Sequence, residues 1–177
     1  MAARKPKPVR SLRSPSKRPK TTLSHVGARG TARMVDVGAK PATERRARAA
    51  GEIRMSGEAW NLVRRNAAKK GDVLGVAKLA GIQAAKRTAE LIPLCHALAL
   101  SHVDLTLKLV RRPASVRVEA TVATTAPTGV EMEALTAVSV ALLTVYDMVK
   151  SADKTMRIGA IRLVEKSGGR SGSFRAR

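Results

Sequence analysis

The chain has 177 residues, enough for one domain with a hydrophobic core, and it is strongly basic, with a formal charge of +21. Its single cysteine excludes an internal disulfide framework and fits a reducing compartment. Such a charge favours an anionic partner, either nucleic acid or a phosphorylated small molecule. We find no stretch typical of a transmembrane span or a secretory signal, and we expect a cytoplasmic protein without membrane contact.

The first 33 residues differ in composition from the rest of the chain. They hold ten of the 34 Lys and Arg residues and no acidic residue. Without a hydrophobic period they cannot bury enough apolar surface to offset the entropy of ordering. We therefore predict a disordered basic tail over residues 1–33 and one domain over residues 34–177. Nucleic acid contact is expected only through the tail, and its Arg-rich composition leaves organellar targeting open.

The first half of the domain predicts one strand followed by two helices. Residues 45–55 mix Ala, Ile and Arg and are interpreted as a strand. A serine cap begins a predicted helix over residues 56–67. Asp72 is a typical cap for a second helix over residues 73–91, which Pro93 ends.

Two runs with alternating apolar and polar residues follow, at 103–109 and 116–122. The period of two is typical of half-buried strands, and the proline-containing turn between the runs predicts a β-hairpin. Residues 156–164 predict a last strand. The glycine-rich residues 166–172 are expected to be flexible.

The longest apolar stretch of the chain, residues 129–154, predicts the helix around which the domain is organised. Its apolar residues recur at steps of three or four, the spacing of one helical face. Glu131 and Glu133 lie in its first turn, where the helix dipole favours carboxylates. Asp147 and Lys150 lie three residues apart near its other end and share a face. These two helix ends are the first places to look for chemistry.

The predicted order is strand, two helices, two strands, helix and strand. This is the split βαβ pattern of ferredoxin-like α+β folds, in which helices pack on one face of an antiparallel sheet. We expect this fold for the domain.

General motifs exclude several classes of enzyme. The sequence has no dinucleotide-binding glycine pattern, no P-loop and no HExxH. One cysteine and three scattered histidines argue against a zinc site, and we expect no metal. The remaining candidates are Lys70, the pair Cys95-His96, and the pair Asp147 and Lys150. By composition alone, Lys70 is more typical of a solvated loop lysine than of a catalyst. In the same way, His96 is more typical of a core residue, and Asp147 with Lys150 of a surface ion pair. In a cleft, burial would lower the pKa of such a lysine toward neutrality.

Four long runs carry a resemblance to a known family: AGIQAAKRT, LIPLCH, TGVEMEAL and YDM-x-K. With the segments MVDVGAK, KKGDV and KSGGRSG, they resemble the cyclic pyranopterin monophosphate synthases, the molybdenum cofactor biosynthesis protein C family. The resemblance covers residues 34–172. It implies a ferredoxin-like lyase, without a cofactor, that converts 3′,8-cyclo-7,8-dihydroguanosine 5′-triphosphate to cyclic pyranopterin monophosphate and diphosphate. It also implies a homohexamer, a trimer of dimers with its sites at subunit interfaces.

The resemblance also implies roles for individual residues. Asp147 matches the active-site aspartate of the family, and Lys150 and Lys70 match its two catalytic lysines. We expect Lys150, oriented by Asp147, to act as acid and base, with Lys70 as a second proton carrier or a phosphate partner. The sequence departs from the family at Ala97, where proline is usual, so we expect a less rigid loop around His96. The positions matched to substrate contacts are Leu94, Cys95, His96, Met132, Glu133, the adjacent Glu131, and Lys166.

Two other functions stay open at this point. The charge suggests a nucleic-acid-binding module, but three aromatic residues in the whole chain offer almost no platform for stacking bases. A catalytically silent relative that serves as an assembly partner is the second alternative. The presence of Lys70, Asp147 and Lys150 together argues against it.

Overall fold

The computed structural model of the protein describes residues 31–177. The predicted basic tail lies outside this range except for its last three residues, so its disorder and its contacts stay predictions. The elements of the described range are β1 (Thr43–Arg54), α1 (Gly57–Arg64), α2 (Val73–Lys86), α3 (Thr88–Leu91), β2 (His102–Arg111), β3 (Ala114–Ala126), α4 (Glu131–Val149), β4 (Arg157–Ser167) and β5 (Phe174–Arg175).

The sheet confirms the predicted fold. Its strand order is β2-β3-β1-β4-β5, and every neighbouring pair is antiparallel. The pairing of β1 with β3 runs without a shift, whereas its pairing with β4 contains two irregularities. Because β3 lies between β1 and β2, the connection through α1 and α2 is the split βαβ unit of the ferredoxin-like fold.

The core lies between one face of this sheet and the helices. The core face of β1 carries small residues (Ala47, Ala49 and Gly51), all buried under α4. α2 crosses α4 at Gly81, where an added Cβ would press on the carbonyl of Ala137. The small residues thus let both helices approach closely and fix α4 directly above the central strand.

By its length and composition alone, α4 could cross a membrane, with a mean hydropathy of 1.5. Among the helices of residues 31–177, it alone meets this test. The sequence analysis had found no stretch typical of a transmembrane span. Its buried side, which includes Val138, Leu142 and Val145, forms the centre of the core. α4 therefore has the position of the core helix of a globular domain.

Several element ends differ from the predictions. The central helix was predicted over 129–154 but spans 131–149, and Asp153, four residues beyond its end, accepts hydrogen bonds from Ser56 and Thr155. The predicted helix 73–91 breaks at Arg87, and α3 follows as a separate turn. α1 ends at Arg64, ahead of Asn66, which has a φ of 51°.

Residues 166–172, which we expected to be flexible, begin inside a strand and continue into a hydrogen-bonded turn. Lys166 belongs to β4, and the segment closes a turn in which the Gly172 amide donates to the Gly169 carbonyl at 3.1 Å. Gly168 has a φ of 96° and lies against the carbonyl of Glu44, where a side chain would clash. Glycine is therefore needed here to seat the turn on β1.

Candidate active site

At the C-terminal end of α4, one carboxylate lies between two ammonium groups. Lys150 Nζ lies 2.8 Å from Asp147 Oδ1, and Lys70 Nζ lies 2.5 Å from Asp147 Oδ2. Lys70 also donates to the backbone carbonyl of Asp147 at 3.2 Å. We call these three residues the lysine–aspartate triad. The structure thus brings together the three residues that the sequence assigned to catalysis.

The triad is open to solvent in the single chain. The side chains of Lys70, Asp147 and Lys150 are 51–53% exposed. Lys150, and then Lys70, lower the pKa of Asp147 to about 2, and Asp147 in turn raises the pKa of Lys150. The pKa of Lys150 is therefore raised in one chain and not lowered as expected for a cleft, because nothing in the described residues removes this ammonium from water.

At the opposite end of α4, Glu131 forms an ion pair with a lysine of β4. Lys166 Nζ lies 2.9 Å from Glu131 Oε1, and both side chains are about three-quarters buried. Lys166 also donates to Ser171 Oγ at 3.1 Å. The glycine-rich turn after β4 therefore holds this lysine beside the first turn of α4.

Glu133 lies on the other side of the same helical turn and is 3% exposed. Its Oε1 accepts a hydrogen bond from Cys95 Sγ at 3.6 Å, while Oε2 has no partner among the described residues. Burial, together with the nearby charge of Glu131, raises the pKa of Glu133. Burial, followed by the charge of Glu133, raises the pKa of the Cys95 thiol to about 11. Cys95 is therefore a neutral donor here and not a thiolate nucleophile.

The remaining predicted contact residues surround this N-terminal end. His96 Nε2 lies 2.8 Å from the carbonyl oxygen of Val35. Since a carbonyl only accepts, Nε2 carries the proton in this contact. Leu94 is partly buried in the loop after α3, and Met132 is 37% exposed between the two glutamates.

The sequence analysis missed a basic cleft next to Lys166. A cavity of about 700 Å³ lies between β1, the loop before α4 and the glycine-rich turn, and its lining includes Lys40, Arg45 and Arg170. Arg45 donates to the carbonyls of Ala126 and Pro127 at 3.2 and 3.3 Å, which fixes its guanidinium at the wall. The sequence did not single out Arg45, because three arginines occur within four residues of one strand.

Gly169 explains why this guanidinium can lie so close to the turn. It has a φ of 73°, and a Cβ at this position would overlap Arg45. The two adjacent glycines of the KSGGRSG motif therefore have separate roles, one in seating the turn and one in making room for the arginine. Together with Lys166, the arginine gives this end of α4 positive charge of the kind that suits an anion.

The two groups of predicted residues do not meet within one chain. Glu131 and Asp147 are sixteen residues apart on α4, which corresponds to about 24 Å along a helix. Lys70, Asp147 and Lys150 lie at one end of α4. The other end carries Leu94, Cys95, His96, Glu131, Met132, Glu133 and Lys166.

The open face of the sheet holds a further hollow of about 490 Å³, lined by charged residues such as Glu52, Lys108 and Arg162. It contains none of the residues predicted from the sequence, and it lies on the face opposite α4. We therefore place the candidate site at the ends of α4. Among residues 31–177, no group of three or more His, Cys, Asp or Glu side chains could hold a metal ion.

Comparisons with known proteins agree with the resemblance seen in the sequence. The model of a family described as the MoaC family matches residues 34–169. A protein of Methylobacterium sp. (strain 4-46), described as cyclic pyranopterin monophosphate synthase, is 61% identical over 88% of this chain and 97% of its own length. Proteins of the same description from Parvibaculum lavamentivorans (strain DS-1) and Roseiflexus sp. (strain RS-1) are 54% and 58% identical, over 88% and 86% of this chain and 97% and 96% of theirs. The chain therefore belongs to the MoaC family of enzymes.

Proposed function

We propose that this protein is a cyclic pyranopterin monophosphate synthase of molybdenum cofactor biosynthesis. Its substrate would be 3′,8-cyclo-7,8-dihydroguanosine 5′-triphosphate, and its products cyclic pyranopterin monophosphate and diphosphate. The observation that carries the proposal is the lysine–aspartate triad, in which one carboxylate is hydrogen-bonded to two ammonium groups from separate elements. We also propose that the reaction takes place in the cytoplasm, as for a soluble biosynthetic enzyme.

The triad supplies what proton transfer needs. Lys150 is held by Asp147 in one position, so it can deliver and accept a proton at a fixed point of the substrate. Lys70 reaches the same carboxylate from the segment between α1 and α2, and it can serve as the second proton carrier or neutralise phosphate charge. A protonated lysine beside an ionised aspartate is the starting state that the pKa directions support.

The N-terminal end of α4 supplies recognition. Lys40, Arg45, Lys166 and Arg170 line a cleft of about 700 Å³, a size that suits a nucleotide-like ligand. We assign the triphosphate to these cations, because guanidinium and ammonium groups are the usual partners of phosphate oxygens. Departure of diphosphate would be eased where these groups neutralise its developing charge.

The carboxylates at this end are suited to the purine-derived ring. Glu133 Oε2 is buried and has no partner among the described residues, so it is an unoccupied acceptor that faces no competing donor. A guanine-like edge presents N–H donors, which a carboxylate accepts. Met132 and Leu94 would give this part of the site apolar walls.

We call the residues at the N-terminal end of α4 that would bind the substrate the recognition cluster: Lys40, Arg45, Glu131, Glu133, Lys166 and Arg170. One chain separates the triad from this cluster by about 24 Å, a distance too long for one bound nucleotide to contact both. We therefore propose that each active site combines the triad of one subunit with the recognition cluster of another. This agrees with the homohexamer, a trimer of dimers, that the family resemblance implies.

A surface suited to such a partner runs along α4 between the two clusters. Leu143 is 57% exposed, and the neighbouring Ile161 of β4 is 37% exposed although it lies on the core side of the sheet. Half-buried Leu135 and Ser139 continue the same side of the helix. We call these four residues the α4–β4 surface. Two antiparallel copies of α4 that meet near Ser139, halfway between residues 131 and 147, would place each triad beside the partner's recognition cluster.

Coverage by a second copy would also change the electrostatics of the triad. Removal of water and added cations both disfavour a charged lysine, so the pKa of Lys150 would fall from its raised value in the open chain. This shift would bring a proton donor and acceptor closer to the working pH. The open triad of the single chain is then a half-site that becomes active on assembly.

The direct test is to incubate the purified protein with the cyclised dihydroguanosine triphosphate and to measure diphosphate and the pterin product. We expect both products in equal amounts, formed at a rate that Asp147→Asn lowers by about 100-fold or more under the same conditions. A folded, assembled wild-type protein that forms neither product would overturn the proposal. Full activity of Asp147→Asn would support the proposed reaction but show that the triad does not catalyse it.

A further inference from the structure

Asp153 is a buried carboxylate that the proposed reaction does not use. It follows α4 by four residues and is 8% exposed. Its Oδ1 accepts hydrogen bonds from the hydroxyl and the backbone amide of Thr155 at 2.7 and 2.8 Å, and its Oδ2 accepts one from the backbone amide of Ser56 at 2.7 Å. The Thr155 hydroxyl and the Ser56 amide lower the pKa of Asp153, so it is ionised near neutral pH.

The amide that Asp153 binds belongs to the residue that begins α1. Ser56 Oγ accepts from the Ala59 amide at 3.2 Å and so caps this helix. α1 has only eight residues and buries two side chains, Ala59 and Val63. Among the described residues, no other hydrogen bond or ion pair links residues 56–69 to another element of the fold. Asp153 is therefore the polar attachment of α1.

The turn that carries Lys70 is continuous with α1. The Ala67 amide donates to the Leu62 carbonyl at 3.0 Å, and the Gly71 amide donates to the Ala68 carbonyl at 2.9 Å. These bonds fold the residues after α1 back onto the helix. On the other side, Gly71 has a φ of 89° and separates Lys70 from α2. Lys70 therefore lies between α1 and Asp72, the cap of α2, and its position depends in part on where α1 is held.

Asp153 is also attached to the end of α4 that carries the other two members of the triad. Its amide lies 3.4 Å from the Val149 carbonyl, and the Lys150 amide donates to the Tyr146 carbonyl at 2.8 Å. A single buried side chain thus joins the helix end with Asp147 and Lys150 to the helix that positions Lys70. The three residues come from segments 77 residues apart in sequence, so the fold needs such a connection.

We propose that Asp153 is a positioning residue that sets the distance between Lys70 and the Asp147–Lys150 pair by tying α1 to the loop after α4. Its effect on the ion pair is independent of any substrate, whereas its kinetic effect rests on the proposed function. A tie that only stabilised the fold would leave the triad of the folded molecules unchanged. The two cases can therefore be separated in the free protein.

The first experiment compares the lysine side chains of the assembled wild type and Asp153→Ala by NMR at neutral pH, with Lys70→Ala to assign the Lys70 signal. We expect the wild-type Lys70 ammonium to show the restricted motion of an ion pair. In Asp153→Ala it should resemble a free surface lysine, while the Lys150 signal keeps its ion-paired state. Thr155→Val, which removes a partner of Asp153 but leaves the Ser56 contact, is the matched control and should resemble wild type.

The second experiment is kinetic. A misplacement of about 1 Å can cost up to about 100-fold, so we expect Asp153→Ala to lower kcat about tenfold or more with little change in KM. In the Lys70→Ala background the same change should cause no further loss. If Asp153→Ala folds poorly, the isosteric Asp153→Asn, which keeps one acceptor, gives the same comparison with a smaller effect. A folded Asp153 variant whose Lys70 signal is unchanged would overturn the proposal whether or not the enzyme is active.

Discussion

The two ends of α4 hold charged residues in opposite ways. At the C-terminal end, the triad is about half exposed, and its ion pairs lower the pKa of Asp147 and raise the pKa of Lys150. At the N-terminal end, Glu133 is buried beside a neutral thiol, and burial raises the pKa of both groups. One end therefore keeps its ion pairs in water, whereas the other holds a carboxyl group whose charged form is disfavoured by burial.

This difference suggests a division of labour. The N-terminal cluster is shaped before any ligand arrives, with a fixed arginine, a buried acceptor and a cleft, as recognition requires. The triad has its geometry but lacks a dry environment, as expected for a half-site that another subunit covers. The predictions below break one end at a time, beginning with the largest expected effect.

Loss of Asp147 or Lys150, the ion pair of the triad, should have the largest effect on activity. We expect Asp147→Asn or Lys150→Ala to lower kcat by about 10²- to 10⁴-fold, since each removes or disorients a proton carrier. The fold and the assembly should persist, because both side chains are exposed. The neighbouring exposed Lys154→Ala is the control and should retain activity. Kinetics of diphosphate release measure the effect, and wild-type rates in both triad variants would contradict it.

A charge placed on the α4–β4 surface should separate the two ends from each other. We expect Leu143→Glu to dissociate the oligomer and to lower activity about 100-fold, because a buried unpaired carboxylate is incompatible with a packed interface. Size-exclusion chromatography with light scattering measures the assembly. Asn61→Glu, on the exposed side of α1, is the control. An active, fully assembled Leu143→Glu protein would show that this surface is free.

Loss of the anion site should weaken substrate binding more than catalysis. We expect Arg45→Ala to raise KM about 10- to 100-fold, because the guanidinium that two carbonyls fix at the cleft wall is lost. Arg46→Ala changes the adjacent exposed arginine on the opposite face of the strand and should leave KM near the wild-type value. Equal effects of the two changes on KM would show that the cleft does not bind the substrate.

The smallest effect concerns stability and depends on pH. The folded-state pKa of Glu133 is raised, so its contribution to stability is full below the unfolded-state pKa and is lost as pH rises through the raised value. Glu133→Gln removes this loss, and we expect it to stabilise the fold at pH 7 by about 1 kcal/mol, a few degrees in Tm, and by less at pH 4. The exposed Glu119→Gln should show no gain. A lower Tm for Glu133→Gln at pH 7 would contradict the assigned burial cost.

The sequence predicted α4 and the chemistry at its ends because the evidence for them is local. An apolar period over five turns identifies a core helix, and the family motifs placed Asp147 and Lys150 on it. The end of the helix was missed, and the first buried polar side chain beyond it, Asp153, is held by a contact with Ser56, 97 positions away. No local pattern contains such a contact.

Arg45 was missed for a similar reason. It lies in a strand with Arg46 and Arg48, and only the pairing of β1 with β3 decides which of them meets the carbonyls that precede α4. The separation of the two clusters along one helix was likewise invisible, since their residues alternate along the chain. Sequence motifs identify the members of a site, but the distances between them come from the packed fold.

The most direct test of two half-sites is complementation between inactive subunits. Lys150→Ala disables the triad, and Glu133→Gln replaces one acceptor oxygen of the recognition cluster with an N–H donor that opposes the N–H edge of the substrate, so we expect each protein alone to be nearly inactive. Co-expressed in equal amounts, they should form mixed dimers in which one site carries both defects and the other carries none, restoring about one quarter of wild-type activity. If the mixed oligomers form and no activity returns, the two ends of α4 do not combine across subunits.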